Sequence, residues 1–258
     1  MIGVFDSGLG GLGIVAAIRQ LSPTADLVVL ADQARAPYGD RPTVDVRSFT
    51  HEAATDLIGR GCTTVVVACN TASTAALASL RDAHPDLAFV GMEPAVKPAA
   101  AHTDSGVIAV LGTTGTIEGD LLASVIDRFG SDRTVMGVAL PGLVEMIEDG
   151  LAEAPAVERF LERSLEGPKQ AGADTYVLAC THYGFARAAI ESVVGSAAVI
   201  DPAEPVAKQA LRVATPARGD GSTTLLTTAD PVRMRRQVEL ILGWDLPVEK
   251  VGVGVRPD

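Results

Sequence analysis

Aromatic residues are scarce in this chain. One Trp, three Tyr and six Phe make up 4% of 258 residues, while 47% are hydrophobic. The core must therefore be assembled from Ala, Val, Leu and Ile. No apolar run reaches the ~20 residues a membrane-spanning helix needs. The N-terminus also lacks a signal-peptide layout, because strand-like Ile2–Phe5 begins at once. These absences predict a cytoplasmic protein with no membrane partner and no N-terminal extension on which an activator could dock. Basic residues are outnumbered, 21 against 32, for a net charge of −11, which argues against a nucleic-acid surface. An anionic small molecule stays admissible, since local N–H dipoles can hold a carboxylate. Three cysteines, Cys62, Cys69 and Cys180, form no disulfide framework and no Cys-x-x-Cys pair. They suit a reducing compartment and point to chemistry or burial. Lysine occurs only at 97, 169, 208 and 250, none at a strand end. A pyridoxal Schiff base is thereby disfavoured, with Lys97 as the fallback.

What the chain does contain is strand–helix alternation. Short β-branched runs at Ile2–Phe5, Leu27–Ala31, Thr64–Val67 and Leu87–Val90 are separated by helical spacing at Ile14–Leu21, Val44–Arg60 and Ala72–Arg81. Glu93–Pro98, with two prolines, reads as a crossing between domains. The alternation then restarts: strands at Val107–Leu111, Thr134–Ala139, Thr175–Ala179 and Ala198–Ile200, with helices at Ile117–Phe129, up to Glu148, and Ala156–Ala171. A helix at Glu204–Val213, a polar stretch at Arg218–Ser222, a strand at Thr223–Thr228, a helix at Val232–Leu242 and a strand at Val248–Val253 follow. This pattern predicts α/β architecture with parallel sheets covered on both faces. At this length the chain can bury roughly 70–75% of its unfolded surface.

Two segments echo each other. Val66-Val67-Ala68-Cys69-Asn70-Thr71 and Val177-Leu178-Ala179-Cys180-Thr181-His182 each deliver a thiol from a buried strand to the start of a helix. There the helix dipole and unpaired N–H groups favour thiolate over thiol. A free cysteine is ordinarily a small buried apolar residue, and Cys62 fits that description. Cys69 and Cys180 do not, because hydrogen-bonding residues follow each. Ligands of open parallel sheets bind beyond the strands' carboxyl ends, so two similar halves face to face would bring both thiols into one cleft. Asp6 is a candidate proton partner for Cys69, and His182 for Cys180.

Other readings compete. Gly8, Gly10 and Gly13, with Asp32 ending the next strand, satisfy a dinucleotide-binding fingerprint. Against it, Asp6-Ser7 places a carboxylate where the pyrophosphate would lie. The two thiols with Asp6 and His182 could also be imagined as a metal site, without compact ligand spacing to support it.

Taken together, Phe5-Asp6-Ser7-Gly8-x-Gly10-Gly11, Pro37-Tyr38-Gly39, Ala68-Cys69-Asn70-Thr71-Ala72-Ser73, Gly91-x-Glu93-Pro94-Ala95 and Cys180-Thr181-His182-Tyr183 resemble the aspartate/glutamate racemase superfamily. The Asp6-Ser7-Gly8 and Pro37-Tyr38-Gly39 elements are those of its glutamate branch. The resemblance implies two Rossmann-like domains facing each other across a cleft. The first would be residues 1–92 plus 206–258, carrying Asp6 and Cys69. The second would be 93–205, carrying Glu148, Cys180 and His182. It implies cofactor-independent racemisation of glutamate, without pyridoxal phosphate, metal or nucleotide, supplying D-glutamate for peptidoglycan. Cys69 and Cys180 would be the two acid–base groups, assisted by Asp6 on one side and by His182 with Glu148 on the other. Ser7, Pro37, Tyr38, Gly39, Asn70, Thr71, Thr113, Thr116 and Thr181 would hold the amino acid. Partners would be the small-molecule substrate and, at most, a second copy in a homodimer. An aspartate racemase and a non-catalytic amino-acid-binding protein are the alternatives on this frame. The chain departs from the family pattern at Gly119, Leu122, Leu140, Gly184, Phe185 and Ala229.

Overall fold

Each β-branched run becomes a strand, and within each sheet the strands are joined by helices that return the chain to the sheet's other end. A computed structural model describes residues 1–214 and 219–252. The stretch expected at Arg218–Ser222 and the end of the strand expected at Val248–Val253 thus lie partly outside the described residues.

The chain divides into two compact units, Met1–Met92 with Ala203–Asp258, and Glu93–Pro202. The first begins β1 (Ile2–Asp6), α1 (Leu12–Leu21), β2 (Leu27–Ala31), α2 (Thr43–Gly59), β3 (Thr64–Val67), α3 (Asn70–Ala83), β4 (Ala88–Gly91). The second runs α4 (Val96–His102), β5 (Val107–Gly112), α5 (Thr114–Ile117), α6 (Asp120–Phe129), β6 (Thr134–Ala139), α7 (Leu143–Glu148), α8 (Pro155–Ser164), α9 (Glu166–Gln170), β7 (Thr175–Leu178), a 3-10 helix (Thr181–Ala186), α10 (Arg187–Val194) and β8 (Ala198–Ile200). The first unit is completed by α11 (Ala203–Val213), β9 (Thr223–Thr227), α12 (Pro231–Leu242) and β10 (Val248–Lys250). The return expected after residue 205 would cut α11. The helix instead belongs wholly to the first unit, packed on α1.

Both sheets are parallel, with orders β10-β9-β2-β1-β3-β4 and β6-β5-β7-β8. Strands β1, β2, β3 and β7 are buried at every residue, as sheets covered on both faces require. Aliphatic side chains pack the sheet faces: Leu57, Val65, Val67 and Leu80 around Phe5 in one unit, Leu111, Leu161, Leu178 and Ile190 around Tyr176 on one face of the other, and Val96, Ile108, Val110 and Val125 on its opposite face. In each unit the first strand lies between the second and the third. That makes the ends of β1 and β3, and of β5 and β7, topological switch points, where crossovers diverge and leave a crevice.

Three helices depart from expectation. Glu93–Pro98 is not simply a crossing, since α4 starts at Val96 and includes Pro98 at its third position. That early position tolerates proline because its N–H would have no intrahelical acceptor. The helix expected over Ile117–Phe129 is two pieces, separated at Gly119. A Cβ at Gly119 would sit 2.8 Å from the Gly115 carbonyl oxygen, so the break requires glycine. The helix expected over Ala156–Ala171 ends at Ser164 and restarts at Glu166, because Pro168 has no N–H to bond back to Ser164.

Asp174, just ahead of β7, gathers the turn before β5. Its carboxylate accepts from the Thr103 hydroxyl (2.5 Å), the Asp104 and Ser105 N–H groups (2.8 and 2.7 Å) and the Thr175 hydroxyl (3.0 Å). Burial opposes the charge, but these donors outweigh it and hold the carboxyl well below the ordinary carboxylate range. Its contribution is therefore complete above about pH 4, the unfolded value, and is lost as pH falls toward the folded value. Asp174→Asn should lower stability by about 1–2 kcal/mol at pH 7. Thermal melts across pH should show the gap to the parent protein narrowing below about pH 4; a constant gap would contradict this account.

Candidate active site

The first thiol stands at the end of β3. Cys69 is the extended residue capping α3, and its carbonyl accepts the Ser73 N–H at 2.9 Å. Beside it ends β1, whose Phe5 pairs with Val67 and accepts the Ala68 N–H at 2.7 Å. That register sets Asp6 and Ser7 next to Cys69. The Ser7 hydroxyl donates to the Cys69 sulfur at 3.4 Å, and Asp6 accepts the Gly8 N–H at 2.8 Å. Gly11 is the glycine that packing demands here, because a Cβ would meet that of Asp6 at 3.0 Å and that of Ala68 at 3.3 Å. Ser73 locks the strand ends from below, donating to the Val67 carbonyl (2.8 Å) and accepting from the Met92 N–H (2.9 Å).

Asn70 is the telling residue of this half. It is 4% exposed, and neither its amide nitrogen nor its oxygen has a hydrogen-bond partner among the described residues. Leaving such a group unmet costs about 1–3 kcal/mol, which a folded chain tolerates where a ligand supplies the partner. Thr71 follows it, half-buried, in the first turn of α3.

Pro37, Tyr38 and Gly39 lie in the loop after β2. The Tyr38 ring is buried between Phe5 and Phe49, and its hydroxyl donates to Asp32. Burial first, and the Asp32 carboxylate second, push that phenol far above its ordinary range. The side chain therefore anchors the loop, and what the segment offers a ligand is its backbone around Gly39.

The second thiol differs in its setting. Cys180 caps a 3-10 helix rather than the α-helix expected, and α10 begins only at Arg187. Gly184 explains part of this, since a Cβ there would sit 2.9 Å from an Asp201 carboxylate oxygen. The tight turn keeps His182 over Cys180, with Nδ1 4.0 Å from the sulfur. Nε2 lies 2.8 Å from Glu148 Oε1 at the end of α7. A carboxylate accepts only, so Nε2 carries the hydrogen, and Nδ1 is the ring nitrogen that faces the thiol. Tyr183 pins the turn, its hydroxyl donating to the carbonyls of Gly112 (3.1 Å) and Leu140 (3.3 Å). Burial, with Cys180 and Glu145 nearby, pushes this phenol well up and keeps it a neutral donor. Thr113 and Thr116, after β5, share a hydrogen bond at 3.1 Å. Thr181 begins the 3-10 helix directly after Cys180.

The dinucleotide alternative loses both of its anchors. The Gly8 N–H is already taken by Asp6. Asp32, expected to meet a ribose, is fully buried and accepts from Arg35 (2.7 Å), Thr228 (2.7 Å) and Tyr38. Among the described residues no group of three or more His, Cys, Asp or Glu is arranged to hold a metal ion, and no helix is long and apolar enough to cross a membrane. Ser73 and Tyr183 are supporting residues that lie inside the motifs but carry no role in the sequence reading, while Asp32, read there as a ribose partner, instead meets Arg35, Tyr38 and Thr228.

Known proteins resemble this chain along nearly their whole length. The family model for Asp/Glu/Hydantoin racemase matches residues 12–210. The glutamate racemase of Roseiflexus sp. (strain RS-1) is 43% identical over 258 residues, covering 97% of this chain and 94% of that protein. Glutamate racemase isoform RacE1 from Bacillus anthracis superposes with a TM-score of 0.89 at 29% identity, over 99% of this chain and 98% of that one. Escherichia coli glutamate racemase, solved with L-glutamate and the activator UDP-MurNAc-Ala, gives 0.87 at 28% identity, over 97% of each. A switch-point thiol in each of two like-ordered sheets, together with these matches, makes the chain a member of the Asp/Glu/hydantoin racemase family.

Proposed function

We propose that this protein interconverts L- and D-glutamate by a two-base mechanism in which Cys69 and Cys180 flank the α-carbon of one bound substrate. The observation that carries the reading is the repeated plan of the two units: strand order second-first-third-fourth, with a thiol two residues beyond the end of the third strand each time. Relatives named glutamate racemase, one of them solved with L-glutamate, supply the substrate class.

One sulfur begins as thiolate and the other as thiol. The thiolate takes the α-proton, the C–H bond breaks, and its electron pair delocalises into the carboxylate. The opposite thiol then gives its proton to the other face, so the sulfurs exchange protonation states and configuration inverts. No oxidation state changes, and the reaction needs a base, an acid and stabilisation of the carbanion. Cysteine suits it, with an ordinary pKa of about 8.5 that leaves both forms accessible near neutrality. Ser7, Asn70, Thr71 and Thr181 are the donors for the carboxylate. Asp6 assists at Cys69, while His182, held by Glu148, assists at Cys180. Every residue in this reading comes from one chain, so a homodimer adds nothing to the acid–base set. The D-glutamate formed would serve peptidoglycan synthesis in the cytoplasm.

Incubation with L-glutamate in deuterium oxide tests the reading. Deuterium should enter at the α-carbon while optical rotation decays. A protein that binds glutamate without either change is the non-catalytic binder, and faster exchange on aspartate would place it on the aspartate branch.

A further inference from the structure

We propose that Arg35 is a positioning residue for substrate binding, holding the Pro37-Tyr38-Gly39 loop against α2 through a closed ring of contacts. The inference rests on the glutamate reading above, in which that loop faces the substrate. Asp32 is fully buried at the end of β2, so its negative charge needs a counter-charge. Arg35 supplies it, with Nε donating to Asp32 Oδ2 at 2.7 Å. The same oxygen accepts the Tyr38 hydroxyl. A second guanidinium nitrogen reaches Glu52 Oε2 of α2 at 2.6 Å. Its plane lies over the Phe49 ring at 4.0 Å, and that ring meets Tyr38 at 5.8 Å. Asp32, Arg35, Phe49 and Tyr38 thus close on one another, and the far end of the ring is the loop itself. Thr228 ties the ring to β9, donating to Asp32 at 2.7 Å and accepting the Ala34 N–H at 3.0 Å.

Two contacts from different nitrogens of one planar guanidinium, to two different carboxylates, define an orientation that an ammonium cannot reproduce. Without them the Tyr38 phenol would face an unneutralised buried carboxylate, and the loop would lose its register with α2. Arg35 and Glu52 also line a cavity of about 770 Å³ between α2 and the segment 250–252. Truncating Arg35 would leave a guanidinium-sized vacancy that this cavity connects to small solutes.

The test uses the full chain, after wild-type exchange on glutamate has been shown. Arg35→Ala should lower kcat/KM by roughly 10–100-fold, mostly through KM, as misplaced binding groups do. Methylguanidinium at millimolar concentration should restore several-fold of that loss in Arg35→Ala and nothing in the wild type. Arg35→Lys should behave like Arg35→Ala. Glu52→Gln, which keeps the Asp32 contact, should raise KM by a smaller factor. A folded Arg35→Ala with wild-type KM and kcat, or one with a lower melting temperature and unchanged KM, would overturn the proposal. Should Arg35→Ala not fold, unchanged KM in Glu52→Gln would overturn it. A wild type that exchanges no proton sinks the glutamate reading instead.

Discussion

Cys69→Ser and Cys180→Ser should each lower racemisation by roughly 10²–10⁴-fold in both directions, the range for losing a positioned acid–base group. Serine is close to cysteine in shape, somewhat smaller, and still hydrogen-bonds, so glutamate should still bind. What disappears is the sulfur that takes and gives the proton. Each variant retains one thiol, on one face of the α-carbon. If the sulfurs flank the substrate, one variant should wash deuterium into L-glutamate and the other into D-glutamate, without inversion in either. Proton NMR of the α-position in deuterium oxide reads this directly. Cys62→Ser is the control. Burial pushes the Cys62 thiol up to about 11, and it packs against Gly3, 3.1 Å from where a Cβ would stand. Its replacement should leave turnover alone. Normal racemisation by either of the other two variants would refute the two-base reading.

Strands were the most legible part of the chain, because a buried parallel strand is a short continuous run of β-branched and aliphatic residues and little else resembles it. Helix ends were less so. The helix breaks at Gly119, where any Cβ would crowd the Gly115 carbonyl, a restriction that exists only after folding. Pro98 looked like a linker and is instead an early helical residue. The thiol pair stood out because its sequence context repeats, and the shared strand order gives that repetition a structural basis. The supporting residues repeat nothing. Glu148 is one charge near a helix end, selected through family resemblance, and only the 2.8 Å contact with His182 shows what it holds. Asp32 carried a misleading signal. Its spacing after the glycines suited a ribose, whereas Arg35, Tyr38 and Thr228 consume its oxygens. Sequence spacing places a carboxylate at a strand end but is blind to which side chains reach it first.

The Cys180 side makes the sharper demand, because its three groups form a chain rather than a cluster. Glu148 meets Nε2 of His182, and Nδ1 alone faces the sulfur. Glu148 is therefore placed to influence Cys180 through the imidazole, by fixing the ring's orientation and the hydrogen on Nε2. His182→Asn should slow proton transfer at Cys180 by roughly 10²-fold. Glu148→Gln keeps the size but removes the charge, and should cost about 10-fold or somewhat more, since removal of an orienting partner typically costs 10–100-fold. Both losses should fall on the enantiomer whose α-proton Cys180 removes, as measured by initial exchange rates from pure L- and D-glutamate. The decisive measurement is the double variant. If Glu148 acts through the imidazole, nothing is left for it to orient once the imidazole is gone. Glu148→Gln/His182→Asn should then be no slower than His182→Asn alone, a coupling equal to the whole effect of the single Glu148 change. Additive losses would mean that Glu148 touches the substrate or the thiol on its own account, and the relay would have to be abandoned.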